Sequence, residues 1–256
     1  MNPQETNKTL LLLAAQGDPE KAREIEQYLD LAKYPAGGIV VTEVKQPGLT
    51  GEAVRAAIRH NEAVQIPDGL YLVLNDGKAI KTYKPGEVTE DDKARCTGVA
   101  VKLGEKALVL ALEDMEDPDD SEEKDLTLTT AKSPADYDKA AYKDTYDDAG
   151  ADWDGQGNTD RLALAGILNP KIAQQLSKGQ YVPAMGQLLF VHLFRKQINQ
   201  ALREVGGQEI EDLWYWTSTE YSSTYAWYLS LNYGNMNNNT KASNRFRVRA
   251  VSAFIG

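Results

Sequence analysis

The sequence predicts an α+β fold, and three observations carry that expectation. Val191, Phe194, Ile198, Leu202 and Val205 recur at spacings of three and four and stop at Gly206-Gly207, the mark of an amphipathic helix with a glycine stop. Two short apolar runs around Asn75-Asp76-Gly77, and two more around Gly104-Glu105-Lys106, read as hairpins and hence as antiparallel strands. Near the C-terminus, Trp227, Leu229 and Leu231 alternate with Tyr228, Ser230 and Asn232, and Phe246, Val248 and Ala250 alternate with Arg245, Arg247 and Arg249. Period two is the signature of a strand with one face buried.

In chain order, residues 1–17 are weakly patterned. Asp18-Pro19 starts a helix, with Asp as N-cap and Pro at the first helical position. It carries Ile25, Tyr28, Leu29 and Ala32 to about Lys33. Residues 39–44 are β-branched and read as a strand, and Thr50 caps a short helix to Arg59 with Val54, Ala57 and Ile58 inward. With the 70–74 and 78–83 hairpin, residues 1–90 form a small α/β docking or assembly module. Pro85-Gly86-Glu87 and Glu90-Asp91-Asp92 mark its end, and residues 91–256 form the second domain.

That domain opens on the 98–103 and 107–112 hairpin, apolar enough for the interior of a sheet. Residues 113–125 hold nine acids in 13 positions, a run expected to repel itself and stay solvated. Asp152, Asp154 and Gly157 loosely imitate the start of a calcium loop, but its twelfth position is Ala163, where a bidentate carboxylate is needed. Asp and Asn side chains bonding their own backbone, ahead of a helix at 161–167, is the simpler reading. Between the two C-terminal strands, Tyr233-Gly234-Asn235 reads as a turn. Asn supplies six of the 13 positions from 232 to 244, a composition with low strand propensity whose side chains are expected on the surface.

The net charge of −10 argues against nucleic acid as a partner. Residues 214–256 carry +3 against −13 for the rest, which would favour an acidic ligand if the arginines were free, although arginines alternating with apolar residues more often form a solvated strand face. Cys96 is the one cysteine, so no disulfide or cysteine metal site is expected, and it reads as a small buried hydrophobe. His60 and His192 are the only histidines and have no nucleophile pattern beside them. No catalytic residues, cofactor or metal are therefore expected. The apolar run at 10–13 is too short to span a membrane, and no basic region leads into a secretory core, so neither membrane insertion nor a signal peptide is expected.

The segment Trp214-Tyr215-Trp216-Thr217-Ser218-Thr219-Glu220-Tyr221-Ser222-Ser223, then Ala226-Trp227, the Asn-rich tract and Val248-Arg249-Ala250-Val251, resembles the C-terminal half of a C-type-lectin-fold domain. More narrowly it is similar to the variable proteins diversified by retroelements in phages and gut bacteria. Gly157-Asn158-Thr159-Asp160-Arg161-Leu162 and Tyr181-Val182-Pro183-Ala184-Met185-Gly186-Gln187-Leu188 resemble two further segments of that family. Ala184 and Gln187 replace the usual Ser and Glu. The resemblance covers residues 95–256 and implies mixed antiparallel sheets with flanking helices.

It further implies a segment of about 220–248, diversified at adenine-rich codons, that recognises a protein or other macromolecular receptor on a cell surface. The binding residues would be Ser222, Ser223, Thr224, Tyr225, Tyr228, Ser230, Asn232, Tyr233, Asn237, Asn238, Asn239, Thr240, Ser243, Asn244, Arg245 and Arg247. Tyr, Ser and Asn are the mixture that antibody paratopes use. Trp214, Trp216, Trp227, Leu229, Leu231 and Val248 would be the invariant core. The implied location is a virion (phage tail) or an extracellular surface, and a homo-oligomer is compatible with either. A fixed tail or fibre subunit is the alternative. A calcium-dependent sugar lectin is disfavoured because the C-terminal third lacks a Glu-Pro-Asn motif. A glycosidase would need two separated carboxylates.

Overall fold

The structure, a computed structural model, describes residues 66–254 apart from 76–78 and 121. The elements expected at 18–33, 39–44 and 50–59, and His60, lie outside the described residues. The compact unit that carries every element below spans Pro67–Ile255.

Two hairpins build most of the first sheet. β1 (Gly69–Leu74) and β2 (Ala79–Thr82) pair antiparallel, and Asn75 turns the chain in the left-handed region at φ 53°. A short helix α1 (Glu90–Arg95) follows, its Thr89 cap and Asp92 side chain each bonding the other's backbone amide. It leads into β3 (Cys96–Leu103) and β4 (Lys106–Leu110), joined through Gly104 at φ 58°. β1 lies against β3 over six register pairs, so the hairpin assigned to an N-terminal module belongs to the same sheet as its neighbour. The first sheet therefore runs across the boundary expected at 90/91. Pro85, Gly86 and the acids at 90–92 are a tight connection within one sheet.

Three helices follow, α2 (Tyr146–Ala151), α3 (Gly155–Leu164) and α4 (Pro170–Ala173), and each takes its N-cap from a side chain: Thr145, Asp154 and Asn169. The helix expected at 161–167 starts at Gly155, because Asp154 already satisfies the Gly157 amide at 3.0 Å. After β5 (Gln180–Tyr181) comes the long helix α5 (Met185–Val205), which ends on Gly206 at φ 82°. Ala184 cannot cap it with a side chain. Instead Met185 N–H donates to Thr219 Oγ1 (2.9 Å), Gly186 N–H to the Asp152 carbonyl (2.9 Å), and Gln187 Oε1 accepts from the Ala184 amide (2.9 Å). A Cβ on Gly186 would fall 2.6 Å from that carbonyl, so only glycine fits.

The C-terminal strand β9 (Val251–Ala253) closes a six-stranded sheet in the order β2-β1-β3-β4-β9-β5. Leu72, Leu74, Val99, Val101, Leu108, Leu110 and Val251 share one core with Leu188, Val191, Ile198 and Leu202 of α5. Cys96 is buried in the same core.

A second sheet has the order β6-β7-β8, formed by β6 (Trp214–Glu220), β7 (Tyr225–Ser230) and β8 (Met236–Thr240). The Asn-rich tract thus forms a strand, at the sheet's edge. Trp227 and Leu229 of β7 join the first core, while Ala226 and Tyr228 join a second one with Leu126, Leu128, Leu162, Ile172, Trp216 and Val248. The half-buried strand expected here is buried on both faces. The strand expected over 245–250 is an extended segment without a ladder. It changes partner every residue or two: Phe246 bonds Leu126, Arg247 bonds Trp214 and Trp216, Val248 accepts from Met115, and Ala250 accepts from Ala111.

Candidate ligand-binding surface

The polar, aromatic tract divides by where β7 begins and ends. Ahead of β7, Ser222 Oγ accepts from the amides of Thr224 (3.3 Å) and Tyr225 (3.2 Å), and the Ser223 carbonyl accepts from Ser133 N–H (2.7 Å). This fixes a tight loop that leaves Thr224 and Tyr225 exposed, Tyr225 at 39%. Beyond β8, Thr240 and Ser243 share a hydroxyl bond (2.6 Å), and Asn244 bonds Asn239 Oδ1 (2.9 Å) and Thr240 Oγ1. Ser243 and Arg245 are exposed there.

At the other end of β7, the turn carries Asn232, Tyr233 and Asn235, all exposed, with Tyr233 at 74%. Ser230 anchors this turn from inside, its carbonyl accepting from Gly234 N–H (2.8 Å) and its Oγ from Tyr233 N–H (3.3 Å). His192 of α5 holds it from below, with Nδ1 3.1 Å from the Leu231 carbonyl. Gly234, at φ 73°, rests on the imidazole so closely that a Cβ would lie 2.8 Å from Nε2. The two exposed ends are separated by the length of β7, about 20 Å for six residues at strand rise. The β8 edge, with Asn237 exposed, runs between them.

Two expected binding residues are not on this surface. Tyr228 is 8% exposed and packs against Trp214 (5.0 Å between ring centroids), Trp216 (5.9 Å) and Phe246 (4.4 Å). Ser230 is buried as the turn anchor. Ser222, Ser223, Asn238, Asn239, Thr240, Asn244 and Arg247 are half-buried. Conversely Trp214, expected in the core, is 38% exposed at the end of the sheet, while Trp216, Trp227, Leu229, Leu231 and Val248 are buried as expected. Asn235 belongs with the exposed residues, and its place beside Gly234 in the turn was the available signal.

The local excess of positive charge is neutralised internally. Arg249 is buried against Asp114, which also accepts from Tyr215 OH (2.8 Å). Arg247 lies 3.6 Å from Asp125 and 3.4 Å from Glu211, and Arg245 lies 3.4 Å from Glu123 and 3.9 Å from Asp117. The arginine face is solvated only at Arg245, and the acidic run is not a free loop: Asp114 and Asp117 are buried, and the 113–125 run supplies counter-charges to the C-terminal arginines.

Lys241, within the Asn-rich tract, is 0% exposed. Its ammonium meets Glu220, Ser133 Oγ (2.6 Å) and the Ser222 carbonyl (3.5 Å), while Tyr137 OH donates to the other Glu220 oxygen. Burial pushes the lysine pKa down, against the pull of Glu220. Burial and Glu220 together push the Tyr137 phenol up. This cluster ties the 221–225 loop and the 240–244 turn to residues 129–143, with Lys241 N–H also donating to the Thr224 carbonyl (3.1 Å). In the sequence Lys241 and Glu220 enter only the net charge of residues 214–256, and their spacing holds no sign of the pairing.

Among the described residues, no group of three or more His, Cys, Asp or Glu side chains is arranged to hold a metal ion. Asp152 shows the local pattern: its Oδ2 accepts from Asn158 Nδ2 (2.7 Å) and Thr219 Oγ1 (2.7 Å), and its Oδ1 from Asp154 N–H (3.1 Å). The Asp154 N–H bond, like that of Gly157 N–H to Asp154 Oδ1, is the side-chain-to-backbone bonding that the sequence suggested, whereas Asn158 and Thr219 meet Asp152 through their side chains. No described helix is long and apolar enough to cross a membrane.

No protein-family model matches the chain, and no curated protein matches it. Among solved structures it is similar to a fimbrial protein from Bacteroides ovatus, with a TM-score of 0.55 and 15% identity. The alignment covers 73% of this chain and 48% of that one, so the chain spans about half the length of that protein. The likeness is one of fold: α+β with antiparallel sheets.

Proposed function

We propose that the domain is a lectin-like display module, carried at an extracellular surface, that binds a macromolecular receptor through the loops and edge of its second sheet. The observation that carries this reading is the division of one aromatic and Asn-rich segment. Trp216, Trp227, Tyr228 and Lys241 are interior, whereas Thr224, Tyr225, Asn232, Tyr233, Asn235, Asn237, Ser243 and Arg245 face solvent. Rigid loops on a packed sheet present large aromatic contacts at low entropy cost, with amides and hydroxyls between them. The sheet closed by β9, the long helix on it and the loop-bearing second sheet suit the C-type-lectin fold that the sequence resembles. The fimbrial neighbour favours a surface appendage as its setting.

Diversification by a retroelement is part of the proposal. Its test is the DNA flanking the gene, read for a non-coding near-copy of the segment encoding about residues 220–248 beside a reverse transcriptase gene. The expected near-copy differs almost only at adenines, and the differences fall on codons of solvent-facing residues. The second reading, a fixed structural module of a fibre, is favoured by the description of the neighbour as a fimbrial protein. It takes over if no near-copy is found.

A further inference from the structure

β8 is the outer strand of the three-stranded sheet. An outer strand ordinarily offers unpaired N–H and C=O groups to any other extended chain. The ladder identifies which groups these are. Ser230 N–H donates to the Asn235 carbonyl (2.9 Å) and Lys241 N–H to the Thr224 carbonyl (3.1 Å), so the pairs Ala226–Asn239 and Tyr228–Asn237 exchange the hydrogen bonds between them. The backbone N–H and C=O groups of Met236, Asn238 and Thr240 therefore point outward, and three of these six, both amides at 238 and 240 among them, are already occupied. Asn237 Oδ1 accepts from Asn238 N–H at 2.8 Å, Asn239 Oδ1 accepts from Thr240 N–H at 2.9 Å, and the Thr240 carbonyl accepts from Asn244 N–H at 3.0 Å.

We propose that the alternate asparagines of β8 occupy the outward donors at Asn238 and Thr240 and thereby seal the free edge of the second sheet against strand addition, so that partners engage this surface through side chains alone. A strand-adding partner is held by main-chain bonds, and the main chain is the same whatever side chains are displayed. With the edge sealed, affinity depends on the side chains, which is where discrimination resides. Asn suits the task because its short side chain brings an acceptor next to the following amide. An aliphatic strand former would pack well and leave the edge open. The sealing stands on the hydrogen bonds; only its consequence for selectivity rests on the display reading.

The test compares full-length Asn237→Ala/Asn239→Ala with Asn237→Asp/Asn239→Asp, which keeps the acceptor oxygens. Amide exchange at Asn238 and Thr240 is followed by NMR, and mass in solution by light scattering across concentration. In the alanine variant both amides should exchange roughly tenfold faster, and the protein should associate beyond the state of its parent through β8. The aspartate variant should keep both amides protected and the parental mass. Unchanged exchange in the alanine variant overturns the proposal, and so does faster exchange without further association. Asn237→Ala alone, read at the Asn238 amide, serves if the double variant does not fold. No ligand enters these readouts, so their failure is distinct from failure of the display reading, which falls on the missing near-copy.

Discussion

β7 and the tract that follows it have nearly the same kind of composition and opposite environments. In β7, Trp227, Tyr228 and Ser230 are buried, each ring packed edge-on or tilted against others. From Asn232 onward, Tyr and Asn side chains reach solvent, yet Lys241 among them is fully enclosed. Composition decides that such a segment can be displayed. Position in the sheet decides which of its residues are: the central strand has two covered faces, while the turn and the edge strand have one side open.

The sharpest way to break that division is at the enclosed lysine. Lys241→Met would leave the Glu220 carboxylate buried without its cation, and a loss of about 3–5 kcal/mol is expected by urea denaturation. Adding Glu220→Gln should recover most of it, since the uncompensated charge is then gone. A surface lysine would show neither effect.

Alkaline titration probes the same framework. Burial, with Asp114 beside it, pushes the Tyr215 phenol up, and burial with Glu220 does so for Tyr137. A folded pKa above the ordinary value of 10.0 gives stability that is complete below pH 10 and lost as pH rises beyond it. Lys241 acts oppositely: its lowered pKa weakens the fold at neutral pH and the penalty fades as pH rises toward 10.5. The lysine penalty has faded by pH 10.5, whereas the raised phenols lose their stabilisation only above pH 10, so the urea midpoint should fall there. Tyr215→Phe with Tyr137→Phe should flatten that fall.

A smaller effect is expected where display meets framework. Gly234→Ala must hold a side chain at φ 73° against His192, and a loss of about 1–2 kcal/mol should follow, read as a lower melting temperature. Smallest of all are Asn232→Ser, Asn237→Ser and Tyr225→Ser, each expected within about 0.5 kcal/mol of the parent in urea denaturation.

What could be read from the chain alone was what local chemistry decides. The turns at Asn75 and Gly104, the helix that stops at Gly206 and the turn at Gly234 each depend on a few adjacent residues, and all appear. Period two in 227–231 correctly separated two faces of β7 but says nothing about how many are covered, so Tyr228 and Ser230 were misplaced. Arg249 meets Asp114 across 135 positions, and Lys241 meets Ser133 across 108, so the basic excess of the tail read as free charge. Trp214 was misplaced for a related reason: apolar character does not reveal that a strand's first residue lies at the rim of its sheet.

The most direct test compares two tyrosines five positions apart. Urea denaturation of Tyr228→Ala should show a loss of about 3 kcal/mol or more, from the cavity among Trp214, Trp216 and Phe246. Tyr233→Ala should stay within about 0.5 kcal/mol of the parent. Equal losses, or a larger loss at Tyr233, would contradict the division between framework and display.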